Sequence, residues 1–121
     1  MTQIAAQIII GLVAIIHIYI LWLEMFAWTT QAPKIFKTIP KELFKPTTTL
    51  AANQGLYNGF LAAGLIWSLC ISDPHWKFYV AIFFLCCVII AGIYGAATAS
   101  KKILYVQSIP ALLALILLHV K

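Results

Sequence analysis

His17 and Glu24 are titratable side chains placed inside, or at the end of, the first apolar run of this sequence. They lie seven residues apart. At 3.6 residues per turn they share one face of a helix, about 10 Å apart along its axis, which is too far for a direct bond. An imidazole exchanges protons near neutral pH, and a carboxylate can be occupied by a proton or by a cation. The pair therefore predicts proton exchange or cation binding.

A second polar group opens the next apolar run. Its members are Asn53, Gln54, Tyr57 and Asn58. On a helix these four positions cover an arc of about 140°. Beside them, small residues recur every four positions at Gly55, Gly59 and Ala63, a spacing that lets a neighbouring helix approach closely. We therefore expect the second helix to pack closely on the first and to present its amide groups to a ligand held by His17 and Glu24.

The composition is typical of a membrane protein. Apolar residues make up 64% of the chain and charged residues 9%, whereas ordinary soluble domains contain roughly 25% charged residues. Four apolar stretches lie near 4–28, 50–71, 77–98 and 103–120, each close to the ~20 residues that cross the hydrocarbon core of a bilayer. The first is too long for a typical signal-peptide core, so we expect it to remain as a span. The prediction is an all-α fold, a single four-helix transmembrane domain over 1–121, in the cell membrane as a multi-pass protein.

The lysines predict an orientation for this bundle. Six of them lie in the 29–49 connection and the 99–102 turn, whereas Lys77 and Lys121 fall on the opposite side. Under the positive-inside rule both lysine-rich loops are cytoplasmic, and the N-terminus and C-terminus lie outside. The net charge of +5 then fits attraction to anionic lipid headgroups, and no basic helix suggests nucleic-acid binding. The threonines at 47–49 offer a cap for the second helix.

In this orientation the polar residues share the cytoplasmic half of the bundle. Asn53 is expected near the level of Glu24, and Asn58 near that of His17, so that the four side chains form one connected network. The predicted ligand-binding residues are His17, Glu24, Asn53, Gln54, Tyr57, Asn58, Tyr94 and Gln107. The last two come from the third and fourth helices at the same depth. The simpler interpretation is that the buried amides and tyrosines serve only to form hydrogen bonds between helices.

Other chemistry is not indicated. His75 and His119 fall on the outer side, so His17 and Glu24 lack a third strong metal ligand, and we predict no metal site and no cofactor. The three cysteines show no Cys-x-x-Cys spacing. No nucleotide-binding, hydrolase or haem motif is present, and no catalytic residue is assigned.

Two segments carry a resemblance to a known family. They run from His17 to Thr30 and from Leu50 to Leu61, the second reading LAANQGLYNGFL. Both resemble the small integral membrane proteins grouped as domain of unknown function 1304, and the likeness spans nearly the whole chain. The resemblance implies a compact bundle of four membrane helices, and it brings no established activity.

Three functions are compatible with these patterns. The leading hypothesis is binding and movement of a small polar or cationic molecule, with Glu24 as the proton-exchanging group and His17 as its proton partner. The alternative is an acid-base enzyme of the isomerase or cyclase type that acts on a lipophilic substrate. A third is a structural or accessory subunit in which Gly55 and Gly59 dock a partner helix. The expected partners are membrane lipids and an unidentified small molecule, with self-association into a homo-oligomer left open.

Overall fold

The computed structural model describes residues 1–120, and over that range it contains helices and no strands. The principal helices are α1 (Thr2–Met25), α2 (Ala32–Ile35), α3 (Thr48–Cys70), α4 (Pro74–Thr98) and α5 (Ile109–His119), with a π-helical turn (Leu104–Ser108) directly before α5. When the π turn is counted with α5, the four long helices match the four apolar stretches of the sequence to within three residues. The all-α prediction is confirmed.

The four long helices form a closed ring of packed neighbours. Helix α1 packs on α3 and α5, and α4 packs on the same two helices. Gly11 faces Leu69 while Gly55 faces Glu24, so α1 and α3 run antiparallel. Thr2 Oγ1 donates a hydrogen bond to the Val120 carbonyl at 3.2 Å, which joins the two chain ends.

The apolar core occupies the half of the bundle nearest the chain ends. Its buried members are Ile10, Val13, Ala14, Leu65, Ala81, Leu85, Val88, Ala111 and Ala114. Several are alanines, which let the helices approach closely. The core ends one turn before His17 on α1, so the polar residues lie beyond it along the bundle.

The outward surface of the bundle is apolar as well. Along α1, Ile4, Ile8, Leu12 and Ile15 are all more than half exposed and follow one face of the helix. Helices α1 and α4 are long and apolar enough, by length and composition, to cross a membrane, and the segment Leu104–His119 is apolar but shorter. Helix α3 has 23 residues, but its polar group lowers its hydropathy.

The connection from α1 to α3 is a folded unit. The Trp28 ring packs against Phe44 and Phe36, with centroids 4.8 and 5.7 Å away. Trp28 Nε1–H donates to Thr47 Oγ1 at 3.0 Å, and that hydroxyl donates to the Leu43 carbonyl at 2.6 Å. Thr47 therefore joins the connection to α3 instead of capping it with its side chain, which corrects the expectation for the threonines at 47–49.

The π-helical turn has a local cause. Pro110 has no N–H to donate to the carbonyl four residues earlier, and its ring crowds that carbonyl. A helix relieves such a clash by widening locally into a π turn. The turn also presents Ser108 to α4, where its Oγ–H donates to the Ile89 carbonyl at 2.9 Å.

Candidate functional site

The polar centre of the bundle is a hydrogen bond between α1 and α3. Glu24 lies in the last turn of α1 and is only 8% exposed. Asn58 Nδ2 of α3 donates to Glu24 Oε1 at 2.8 Å, and also to the Gln54 carbonyl at 3.3 Å. The second bond fixes the amide against its own helix. Asn58 therefore presents an N–H to the carboxyl group and holds it in place.

Two glycines bring these side chains within reach. A Cβ added at Gly55 would lie 3.0 Å from the Glu24 Cβ and 2.7 Å from Met25 Cγ, and one at Gly59 would lie 2.6 Å from Leu21 Cδ1. The close approach predicted at Gly55 and Gly59 is confirmed. The predicted ridge does not continue to Ala63, which is exposed.

These contacts also set the alignment of α1 against α3. Gly55 lies opposite Glu24, and Gly59 opposite Leu21, so Asn58 reaches Glu24 and not His17. The predicted alignment, with Asn58 at the level of His17, is wrong by about one helical turn. Hydropathy does not fix the alignment of one helix against another, whereas the contact between Gly55 and Glu24 does.

His17 is completely buried and lies apart from the Glu24–Asn58 pair. Its Nδ1 lies 2.8 Å from the Val13 carbonyl. A carbonyl only accepts, so Nδ1 carries the hydrogen. Burial without a carboxylate partner favours the neutral ring, in which Nε2 is an acceptor. Within residues 1–120, Nε2 is a buried side-chain atom with no hydrogen-bond partner. The side chain thus holds an unused acceptor next to the apolar core, a rare arrangement in folded proteins.

The expected four-residue network is therefore smaller than the sequence suggests. Glu24 and Asn58 are joined, whereas His17 bonds only to its own helix. Asn53 is exposed, as are Gln54 and Tyr57. These three occupy the side of α3 that turns away from α1.

The two remaining predicted residues lie elsewhere in the bundle. Tyr94 of α4 is 71% exposed on the outer surface. Gln107 is half-buried in the π turn, where its Cβ would lie 3.2 Å from a Cβ added at Gly92. A side chain at Gly92 would also overlap Ser108 Oγ. Gly92 and Ser108 form a buried contact between α4 and the π turn, and neither residue is among the predicted ligand-binding residues. In the sequence, only a glycine on one helix and a serine on the next indicate this contact.

Comparison with known proteins identifies the family. The family described as "Protein of unknown function (DUF1304)" matches residues 11–119. The chain is also 36% identical over 107 residues to the "Uncharacterized protein YpaA" of Lactococcus lactis subsp. lactis (strain IL1403), covering 87% of this chain and 88% of that protein. No solved structure matches. The chain belongs to the DUF1304 family, as its sequence resemblance indicated.

Proposed function

We propose that this member of the DUF1304 family is a multi-pass membrane protein that binds a small polar or cationic molecule and moves it in exchange for a proton at Glu24. The observation that carries the proposal is the Glu24–Asn58 pair, a nearly buried carboxyl group whose hydrogen-bond partner is an uncharged amide.

The membrane setting is supported by the apolar outer surface. Large apolar side chains such as Ile8, Ile90 and Ile116 are more than half exposed on three different helices. Monomeric soluble proteins rarely expose contiguous apolar patches beyond a few hundred Å². In lipid the same side chains would contact acyl chains. The lysine-rich connection and the 99–102 turn then face the cytoplasm, and both chain ends lie outside.

The proposed exchange step is based on the hydrogen-bond partner of Glu24, which is an uncharged amide. A carboxylate at or near membrane depth is costly unless a partner compensates its charge. Asn58 offers a dipole and no positive charge. The carboxyl group is therefore occupied either by a proton or by a cation, and the two compete for it. Such competition is the basic requirement for exchanging one for the other.

The unused acceptor of His17 narrows the class of ligand. Glu24 and His17 Nε2 both accept hydrogen bonds, and they lie about 10 Å apart along α1. A ligand that satisfies them carries donors, as an amine, a guanidinium or a polyol does. A cation with N–H groups suits each acceptor in turn. A small ion such as guanidinium cannot span about 10 Å, so its charge would compensate Glu24 at one step and an N–H would donate to His17 Nε2 at another.

Reconstituted vesicles test the proposal. The full chain is placed in liposomes loaded with a pH-sensitive dye, and guanidinium or tetramethylammonium is added outside. Both stay charged, so neither crosses as a neutral amine, and only guanidinium has N–H donors. We expect guanidinium to drive proton movement in the protein-containing vesicles, tetramethylammonium to do so less, and Glu24→Gln to abolish the response.

Glu42→Gln is the matched control, since it removes the same charge from an exposed position in the α1–α3 connection. Equal responses in the Glu24→Gln and unmodified proteins would contradict the exchange role. Conversion of a lipid by the purified protein without any gradient would favour the acid-base enzyme instead.

A further inference from the structure

Half of the lysines in this chain surround one hollow. Lys34, Lys37, Lys41 and Lys45 line it together with the hydroxyl-bearing Thr29 and Thr30. Its volume is about 940 Å³, within the roughly 300–1,000 Å³ of sites that take small molecules. No acidic residue belongs to its lining. Four lysines thus line one space, and no carboxylate in the lining neutralises them.

The fold of the connection holds these lysines together. Two of them lie in or just after α2, and the other two lie in the 3-10 turns Lys41–Leu43 and Lys45–Thr47. Phe44, which is 2% exposed, contributes to the hollow and packs on the Trp28 ring. The lysine side chains are themselves exposed. The exposed lysines are therefore attached to a connection whose buried side packs on the Trp28 ring.

We infer that this four-lysine hollow binds a phosphate-bearing anion, at a site separate from the Glu24–Asn58 pair. Like charges gathered in one place repel one another, and a multivalent anion relieves that repulsion. Lysine binds phosphate as a point charge, and threonine hydroxyls supply further donors. The phosphate belongs either to a lipid headgroup or to a soluble organic phosphate, since both present the same oxygens.

The position of the hollow suits both sources. It lies at the end of the bundle where α1 finishes and α3 begins, beside exposed apolar side chains such as Ile35 and Leu43. In the proposed membrane orientation this is the cytoplasmic surface, where anionic lipids attract basic segments. A lipid would place its headgroup among the lysines and its acyl chains against the apolar residues. A soluble phosphate would enter from the water side.

Titration calorimetry of the full chain in detergent tests the inference, with dioctanoyl phosphatidic acid and pyrophosphate as separate probes. We expect at least one of them to bind, and Lys37→Gln/Lys41→Gln to weaken that binding about tenfold or more, as expected for the loss of charged hydrogen bonds. Lys101→Gln/Lys102→Gln is the matched control, because it removes the same charge from the α4–α5 turn and should change the affinity less than about twofold.

The two probes separate the sources of the phosphate. Binding of phosphatidic acid alone identifies a lipid headgroup, and binding of pyrophosphate identifies a soluble phosphate. Equal weakening by both double variants would show a general effect of net charge and overturn the inference. The inference would also be overturned if neither probe bound to a chain that elutes as a folded species. The hollow is on the surface, so these outcomes do not depend on whether Glu24 exchanges protons.

Discussion

Gly55 of α3 lies directly against Glu24 of α1, so closely that a Cβ at Gly55 would come within 3.0 Å of the Glu24 Cβ. The carboxyl group of Glu24 and the amide of Asn58 meet because no side chain separates the helices at this point. The small residue and the polar pair therefore form one structural unit. Changing either should affect the other.

Gly55→Ala should destabilise the bundle. The new methyl group would meet Met25 Cγ, and the Leu21 carbonyl 3.2 Å away is backbone and cannot turn aside. Overpacking of this kind costs about 1–3 kcal/mol of unfolding free energy. Gly11→Ala is the control, because its Cβ would find only Leu69 Cδ1 at 4.0 Å, and it should be neutral or slightly stabilising. Detergent-titration unfolding of both variants measures the difference, and equal effects would rule out the close contact.

Glu24 and Asn58 should be energetically coupled, whereas His17 and Asn58 should not. The first pair shares a hydrogen bond, and contacting residues couple by about 0.5–3 kcal/mol. His17 bonds only to Val13 of its own helix. Double-mutant cycles on thermal unfolding, using alanine at each position, test both statements. Additivity for Glu24 with Asn58 would mean that their hydrogen bond does not contribute to stability.

His17→Leu should separate stability from function. Leucine has similar bulk and removes a buried acceptor that has no partner within residues 1–120, so the unfolding temperature should stay the same or rise. Guanidinium-driven proton movement in vesicles should fall sharply, because the proposed donor contact is lost. A large drop in stability would instead assign His17 a structural role. The hydrogen bond from Nδ1 to Val13 would then be its main contribution.

The orientation can be read from cysteine labelling. The native Cys70, Cys86 and Cys87 are first replaced by serine, and single cysteines are introduced at Lys41 or at Asp73. With a membrane-impermeant reagent on intact cells, we expect labelling at Asp73→Cys and none at Lys41→Cys until the membrane is opened. Labelling of Lys41→Cys from outside would reverse the proposed topology.

The sequence was sufficient for those features that depend on side-chain periodicity. The four apolar stretches match the long helices, and the spacing of Gly55 and Gly59 correctly indicates the surface on which α1 packs. Which polar residues lie at the same depth in the bundle is predicted less reliably. A shift of α3 by one turn keeps the same residues facing α1, yet it moves Asn58 from the level of His17 to that of Glu24.

Other features were beyond sequence reasoning for physical reasons. The Trp28–Thr47 hydrogen bond, which ties the lysine-rich connection to α3, joins residues 19 positions apart. Nothing in the local pattern marks that pair. That Nε2 of His17 has no hydrogen-bond partner likewise depends on which side chains the other helices place beside it. The spacing of residues along α1 does not determine those neighbours.

The π-helical turn Leu104–Ser108 has a consequence for how this chain tolerates changes in length. Such a turn corresponds to one extra residue inserted into an α-helix. With Pro110→Ala to remove the proline clash, deletion of the exposed Tyr105 should restore ordinary α-helical winding and leave Ala111 and Ala114 facing the core. A deletion of Ile109, ahead of both alanines in α5, would rotate the rest of the helix by about 100° and turn those alanines outward. Single-residue length variation among homologues is therefore expected in this turn and not in the helix that follows it.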